Sequence, residues 1–419
     1  MRALNLDLVK KTEKLPYLLL FLLSFFPILN IKTLSILSLL FFSSAIFLNL
    51  KKIQNNINKI GYKPLLINSL FYLILVVSMS YSPLKSTGID FLLRQIGLLL
   101  MPIILIYAIK IPEKLLKNMT IVFIGSNILV VIYFIIKLNL IQDLISQPST
   151  FFNTSYFIEI SNNLGYKDWH ATYIALNNLL ACVFLLNYTT KPKPLKKKAL
   201  AIFIIVLFLA FSLILNSRII FLLNLLIIPF FLFFKIKTVK FKIIMVISML
   251  LLFFTLFKVS NNNKLGRIFE HPIQYYVSNF SAKTILGVRY QVQECSVELI
   301  SRSPILGYGI GYEKKLLTDY CFEVKNFQNK YLKSYTSHNV YLSIMFSAGI
   351  FGLLALVYML FNNLILGIMQ RDLIYVSFLI IFIIAFLTEN YLIRLNGILL
   401  FAFLNSYFYQ KNYIKIEKI

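Results

Sequence analysis

The sequence has few charged residues and very few acidic ones. Charged side chains make up 14% of the 419 residues, and 16 Asp and Glu stand against 42 Lys and Arg, for a formal net charge of +26. Soluble domains carry roughly 25% charged residues. With 59% hydrophobic residues and a mean hydropathy of +0.78, the composition excludes a soluble globular protein. A nucleic-acid partner is also disfavoured, because the basic residues lie between long apolar runs rather than on a polar surface.

Patterns that hold metals or nucleotides are also missing. The chain has three histidines and three cysteines but no H-x-x-x-H motif, no clustered Cys/His spacing and no D-x-D pair, so no metal is expected. Residues 307–311 read G-Y-G-I-G, which resembles a nucleotide-binding pattern, but no strand–helix unit surrounds them. We interpret them as a tight loop that lets backbones approach closely, and we expect no cofactor.

What is abundant is apolar sequence in long continuous runs. A helix needs about 20 mostly apolar residues to cross a bilayer. The runs predict an all-α polytopic membrane protein with about 12 transmembrane helices, over residues 15–31, 33–50, 64–81, 89–109, 119–140, 170–187, 199–216, 218–235, 242–257, 338–361, 373–388 and 391–409.

The distribution of basic residues predicts the orientation of these spans. Placing both termini in the cytoplasm puts 24 basic and 5 acidic residues on that side, which is +19 of the +26. The segments concerned are 1–14, 51–63, 110–118, 188–198, 235–242, 362–372 and 410–419. Short cytoplasmic loops carry an excess of Lys and Arg in membrane proteins, so most of the net charge is explained by topology.

Two longer segments then lie on the outer side. The prediction divides the chain into residues 1–257, with nine helices and a medium periplasmic loop at 141–169, a periplasmic loop subdomain at 258–337, and residues 338–419 with the last three helices and a short tail. The loop of about 80 residues contains apolar helical stretches and is expected to be ordered, because unstructured loops of that length are uncommon in compact proteins.

The three cysteines fall in two settings. Cys182 lies in a predicted span, where a buried apolar role is expected. Cys295 and Cys321 share the large outer loop, which would face an oxidising compartment. A disulfide between them is one expectation, and two unpaired thiols are the alternative.

Several charges near the outer ends of spans are not explained by orientation. Arg94 lies about a turn inside a span, where it either extends to the interface or lines an outward cavity. Arg218 lies at a tight turn between two spans, as a functional cation or an interfacial anchor. Arg289 opens a helical stretch of the loop, where a solvated surface charge is the simple interpretation. Glu389 and Arg394 flank the last outer turn, where they either pair with each other or act in a site.

The segment from Arg289 to Gly352 resembles the core pattern of the O-antigen ligase and O-antigen polymerase superfamily. An Arg opens a loop helix, S-P-x-x-G-x-G follows with Pro304, Gly307 and Gly309, H-N-x-Y-L occupies 338–342, and G-I-x-G-L occupies 349–353. The Ser217-Arg218 turn resembles an upstream S-R element. The specific resemblance covers residues 216–352, whereas the first 200 residues are similar only in topology.

The resemblance implies an enzyme of the bacterial inner membrane with a periplasmic site. The donor would be a glycan on undecaprenyl pyrophosphate, the acceptor lipid A–core, and the transfer metal-independent and inverting. A polymerase or a protein O-oligosaccharyltransferase of the same superfamily is the alternative, and a transporter of lipid-linked glycans is a more distant one. The sequence does not indicate an oligomeric state.

The resemblance also suggests roles for individual residues. His338 would be catalytic, although a lone His at a helix start is more often a cap or a buried hydrogen-bonding group. Arg218, Arg289 and Arg94 would bind the diphosphate, since Arg suits phosphate oxygens. The supporting or acceptor-orienting residues would be Asn339, His170, Tyr173, Glu389 and Arg394.

Overall fold

The computed structural model describes residues 14–137, 170–192, 194–215, 217–240, 285–325 and 336–416, with isolated residues at 139, 140, 142, 146, 242, 243 and 247. The described residues are helical and contain no β-strand. The helices are α1 (Leu15–Leu23), α2 (Ile31–Phe47), α3 (Leu50–Ile60), α4 (Lys63–Ser78), α5 (Lys85–Gln95), α6 (Gly97–Pro102), α7 (Glu113–Lys137), α8 (Ala171–Thr189), α9 (Leu195–Ile214), α10 (Arg218–Lys235), α11 (Ile285–Arg302), α12 (Glu313–Asp319), α13 (Val340–Met369), α14 (Leu373–Ala385) and α15 (Leu395–Ile416). Single π-helical turns follow α6 (Ile103–Ala108) and α12 (Tyr320–Val324).

Within the described part, four helical stretches are long and apolar enough to cross a membrane. They are Lys85–Ala108, Glu113–Lys137, Ala171–Thr189 and Val340–Met369. A fifth candidate joins α2 and α3 across a bend of 71°. The chain is therefore a multi-pass membrane protein, whereas the full set of twelve spans stays a prediction. The predicted span 242–257 and the medium loop 141–169 lie almost wholly outside the described residues.

The ends of several helices differ from the predicted spans for local reasons. The first span was predicted over 15–31, but α1 ends at Leu23 and a turn follows, because Pro27 cannot continue the helix. The segment 51–63, predicted as a cytoplasmic loop, contains most of α3. Helix α13 continues past the predicted end at 361 to Met369, because residues 362–369 remain largely apolar until Gln370.

The chain divides into two compact units. The first comprises the described residues of Met1–Leu22, Lys32–Pro112 and Ser281–Ile419, and the second those of Leu23–Ile31 and Glu113–Phe280. In the second unit, α8 packs against α7, α9 and α10, and it is buried along most of its length. The apolar side chains of Ile202, Phe203 and Val206 on α9 are exposed, as expected for a surface that faces lipid.

A buried polar cluster joins four helices of the first unit. The Asn363 side-chain amide donates to Asn68 Oδ1 at 2.9 Å and to Asn405 Oδ1 at 3.0 Å. Asn405 Nδ2 in turn donates to Asn68 Oδ1 at 2.9 Å, and the Tyr375 hydroxyl donates to Asn405 Oδ1 at 3.0 Å. Such hydrogen bonds hold helices together where apolar surfaces alone give little directional preference. They link α4, α13, α14 and α15.

Candidate functional site

The ends of α13 and α14 meet at a turn that carries the candidate site. Asn339 caps α13, because its side-chain oxygen accepts from the backbone N–H groups of Tyr341 at 2.9 Å and Leu342 at 3.1 Å. Its side-chain amide donates to the Leu387 carbonyl at 3.1 Å, and the Val340 N–H donates to the Phe386 carbonyl at 2.8 Å. The start of α13 is thus fixed to the turn that follows α14.

Three charged or titratable side chains form a chain of contacts at this turn. His338 Nδ1 lies 3.1 Å from Glu389 Oε1, and Arg289 Nη2 donates to Glu389 Oε2 at 3.4 Å. The Glu389 side chain is 9% exposed, that of His338 16% and that of Arg289 31%. Arg289 Nη1 also donates to the Thr388 carbonyl at 3.4 Å. The carboxylate therefore bridges the imidazole and the guanidinium.

In this arrangement the His338 imidazole can accept a proton, and the Arg289 guanidinium can donate hydrogen bonds. A carboxylate at Nδ1 orients an imidazole and stabilises the imidazolium that forms when Nε2 takes a proton. The Arg289 Nε atom is buried and has no hydrogen-bond partner among the described residues. A guanidinium has five N–H donors, so Arg289 can donate to Glu389 and to the Thr388 carbonyl and still have donors left for an anion.

The glycine-containing loop between α11 and α12 packs against a kink in α13. Gly349, inside α13, has φ +60° and ψ −156°, which breaks the helix. The N–H groups of Tyr308 and Gly309 donate to the carbonyls of Phe346 (2.7 Å) and Ser347 (3.0 Å), and Ile350 N–H donates to the Pro304 carbonyl at 2.9 Å. The loop thereby takes up backbone groups that the kink releases.

Glycines are required where this loop approaches other backbone. Gly307 has φ +70°, and a Cβ there would lie 2.6 Å from the Phe346 carbonyl oxygen. Gly309 has φ +87°, and its Cβ would collide with the backbone of Ser82. Both conditions exclude an L side chain without a shift of the backbone. The loop is therefore held between the kink of α13 and the turn before α5.

Helix α11, which carries Arg289, is fastened to the segment after the loop. Cys295 and Cys321 form a disulfide with a Cα–Cα distance of 6.1 Å. Lys325 Nζ lies 2.6 Å from Glu298 Oε2, and this hydrogen bond lowers the pKa of the Glu298 carboxyl. The two cysteines also belong to a buried cluster that includes Phe346 of α13. The first turn of α11 is thus held in place by covalent, ionic and apolar contacts further along the helix.

A small pocket is lined in part by Val340 and Asn390, which lie close in sequence to His338 and Glu389. Its volume is about 30 Å³, enough for a water-sized group, and its polar lining includes Gln95, Glu313, Lys314, Ser343 and Asn390. Gln95 Nε2 donates to the Leu392 carbonyl at 2.8 Å, which ties α5 to the same turn. The pocket therefore brings α5, α12 and α13 together next to the site.

The structure brings some of the predicted site residues together. His338, Asn339, Glu389 and Arg289 are joined by the contacts above. Arg94 is exposed on α5 of the same unit, with its guanidinium 5.7 Å from the centroid of the Phe91 ring.

The other predicted residues lie elsewhere. Arg394 is exposed in the turn before α15, and its pairing with Glu389 stays a prediction. His170, Tyr173 and Arg218 belong to the second unit. There the His170 and Tyr173 rings pack edge to face at 5.9 Å, and Arg218 opens α10. Among the described residues, no group of three or more His, Cys, Asp or Glu side chains could hold a metal ion.

Two features of the site were missed by sequence reasoning. Glu313 is buried, and its carboxylate accepts hydrogen bonds from Ser337 N–H at 2.9 Å and from the Ser343 hydroxyl. An acidic residue directly after a glycine-containing loop was the available signal. The positive φ of Gly349 was also missed, because a glycine within an apolar run is compatible with a straight membrane helix.

Comparison with known proteins finds a family match that covers part of this site. Residues 201–357 match the family model described as O-antigen ligase. The match begins within α9 and ends in the middle of α13, and it includes Arg218, Arg289 and His338. No curated protein matches the chain. The family match confirms the resemblance to the O-antigen ligase superfamily, and it supports a membrane enzyme of the ligase and polymerase family.

Proposed function

From the premise that residues 201–357 carry an O-antigen ligase region, we propose that the protein is a glycosyltransferase of the bacterial inner membrane. It transfers a glycan from undecaprenyl pyrophosphate to a sugar hydroxyl of lipid A–core at the periplasmic face. The observation that carries this proposal is the Glu389 carboxylate, which contacts both His338 and Arg289. That contact joins a proton acceptor and a cation within one site.

The acceptor half of the reaction falls to His338. The acceptor hydroxyl oxygen attacks the anomeric carbon of the donor, and its proton passes to Nε2 of the imidazole. Glu389 at Nδ1 stabilises the imidazolium that results. Attack from the face opposite the leaving group inverts the configuration at the anomeric carbon.

The donor half requires stabilisation of negative charge. As the bond between the anomeric carbon and the diphosphate oxygen breaks, the bonding electrons pass to the diphosphate. Fixed cations at the site stabilise this developing charge. Arg289 supplies one, and we assign Arg94 of the same unit as a further diphosphate ligand.

A lipopolysaccharide gel tests the proposal. In a strain that lacks its own ligase, the wild-type chain should restore O-chain-bearing lipopolysaccharide. His338→Ala and Arg289→Lys should each abolish restoration, because lysine cannot provide a planar pair of donors. Arg302→Lys is the matched control, since Arg302 is an exposed residue of the same helix, and it should behave as wild type.

The same gel separates the related activities. Failure of the wild-type chain to attach O-chains in the ligase-null strain contradicts the ligase assignment. Extension of single-repeat caps in a polymerase-null strain would instead identify a polymerase. Full activity of His338→Ala would contradict the proton-acceptor role.

A further inference from the structure

The backbone around His338 has a conformation that must be held by its neighbours. His338 has φ +49°, in the left-handed region of backbone conformation that residues other than glycine rarely adopt. On its C-terminal side the chain is held by the Asn339 cap and by the Val340 N–H bond to Phe386. On its N-terminal side the corresponding contact is the bond from Ser337 N–H to Glu313.

Glu313 is built to hold two parts of this segment at once. One carboxylate oxygen accepts from the Ser337 N–H at 2.9 Å, and the other accepts from the Ser343 hydroxyl, one turn into α13. Glu313 is 6% exposed and Ser337 is 1% exposed. The carboxylate therefore fixes the residue before His338 relative to the helix after it.

The anchoring of Glu313 itself comes from the helix that carries Arg289. Glu313 opens α12, and Leu317 and Cys321 follow in the same buried cluster as Val292 and Cys295 of α11. The disulfide between Cys295 and Cys321 closes this connection covalently. Two sets of contacts thus connect the His338 segment to α11. Glu389 contacts both His338 and Arg289 of α11, and Glu313 holds Ser337 and opens α12, which packs against α11.

We infer that Glu313 is a positioning residue that sets the orientation of the His338 imidazole. The inference rests on the proposed function, because it names a second residue that the proposed transfer needs. A catalytic role is disfavoured, since both carboxylate oxygens are engaged by Ser337 and Ser343 in a buried setting. What matters is the geometry of the two hydrogen bonds rather than the negative charge.

Three substitutions of Glu313 separate geometry from charge. Glu313→Gln keeps the length of the side chain, so its amide oxygen can accept from Ser337 N–H while its N–H donates to the Ser343 hydroxyl oxygen. Glu313→Asp keeps the charge but is one methylene shorter, so it cannot reach both partners. Glu313→Ala removes both bonds. Glu323→Ala is the matched control, because Glu323 is exposed in the segment that follows α12.

The experiment measures kcat and KM of the purified full chain, with isolated undecaprenyl-pyrophosphate-linked glycan as donor and O-chain-free lipopolysaccharide as acceptor. Glu313→Asp and Glu313→Ala should lower kcat by about 100-fold with little change in KM, a loss typical of misaligned reacting groups. Glu313→Gln should retain most of the wild-type kcat, as should Glu323→Ala. If Glu313→Ala does not fold, the order of Gln above Asp still tests the inference.

The outcomes are distinguishable. A kcat for Glu313→Asp that equals or exceeds that of Glu313→Gln overturns the inference, because charge would then matter more than geometry. A Glu313→Ala variant with wild-type kcat overturns it as well. In either case, transfer by the wild-type chain leaves the proposed function intact, whereas a wild-type chain without transfer activity overturns the proposed function and the inference with it.

Discussion

At the scale of single residues, Glu389 determines how the candidate site is assembled. Its two oxygens contact side chains that lie 51 and 100 residues away in the sequence. Its side chain is only 9% exposed. The guanidinium of Arg289 and the imidazole of His338 are the polar partners that its two oxygens contact. A buried carboxylate without such partners would be costly. The residue therefore connects the His338 imidazole to the Arg289 guanidinium.

Replacement of Glu389 by glutamine tests this role. Glu389→Gln keeps the volume but removes the charge that stabilises the imidazolium and pairs with Arg289. We expect the rate of glycan transfer to fall by about 100-fold or more, by analogy with amide replacement of the carboxylate in other carboxylate–histidine pairs. The rate is measured with isolated lipid-linked donor. Glu294→Gln, an exposed residue of α11, should leave the rate unchanged. Equal rates for Glu389→Gln and wild type would contradict the assignment.

At the scale of elements, the kink in α13 decides where the glycine-containing loop can pack. Gly349 has φ +60°, and a Cβ there would collide with the Ile305 carbonyl. The three backbone hydrogen bonds between the loop and α13 depend on this close approach. The loop and the kink are thus one structural unit, and a change in either affects the other.

Gly349→Ala should therefore destabilise the protein. We expect a loss of about 2 kcal/mol in the free energy of unfolding, from backbone strain and displacement of the loop. The measurement is the denaturation midpoint of the detergent-solubilised protein. Gly125→Ala in α7 is the control, because a Cβ at Gly125 meets nothing within 4 Å and alanine favours a helix. A midpoint for Gly349→Ala at or above that of wild type would show that the close approach is unnecessary.

A second junction between elements predicts a pH dependence of stability. Asp372 caps α14, and its Oδ2 lies 2.7 Å from Lys411 Nζ and 3.2 Å from the Asn412 amide of α15. Burial raises the pKa of Asp372, but the ion pair and hydrogen bonds outweigh it and lower the pKa below its usual value of 3.8. A carboxyl with a lowered folded-state pKa contributes stability above its unfolded-state pKa.

This contribution should disappear as the pH falls. The contribution of Asp372 to the thermal midpoint of the wild-type protein should stay constant above about pH 5. It should decrease as the pH drops through and below the usual carboxyl pKa. Asp372→Asn should lower the midpoint at neutral pH and reduce its acid dependence. Thermal unfolding between pH 3 and pH 7 checks both. Parallel acid profiles for the two proteins would exclude a role for Asp372 in this dependence.

At the scale of the whole molecule, the segments of the first unit that the charge distribution predicts to be cytoplasmic are also packed near one another. Segments predicted to be cytoplasmic contact each other or their neighbours: Lys411 pairs with Asp372, Gln410 donates to the Ile109 carbonyl, and Asn56 donates to the Tyr107 carbonyl. These contacts gather basic segments at one end of the unit. The orientation of that end remains a prediction from the positive-inside rule.

Cysteine accessibility tests the orientation. We expect Glu294→Cys to react with a membrane-impermeant maleimide in intact spheroplasts, and Lys197→Cys to react only after the membrane is permeabilised. Both positions are exposed, and the native cysteines give little background because Cys182 is buried and the other two are bonded. Labelling of Lys197→Cys in intact spheroplasts would reverse the predicted topology.

The sequence by itself determined the class of protein and its resemblance to the O-antigen ligase superfamily. Long apolar runs and the excess of basic residues can be recognised from local composition alone. The motifs around Arg289 and His338 are short stretches of chain, so they too can be recognised without the fold. Among the described residues, several predicted spans coincide with helices for the same reason. Their ends differ at places such as Leu23, where a proline follows, and Met369, up to which the apolar sequence continues.

Only the tertiary structure decided what the motif residues touch. The contacts of Glu389 with His338 and Arg289, the approach of Gly349 to Ile305 and the bonds of Glu313 join segments from different helices. Such contacts depend on how whole helices pack, because the energy that selects them comes from burial and hydrogen bonding across elements. A local pattern identifies a candidate histidine, whereas the three-dimensional fold determines which carboxylate orients it.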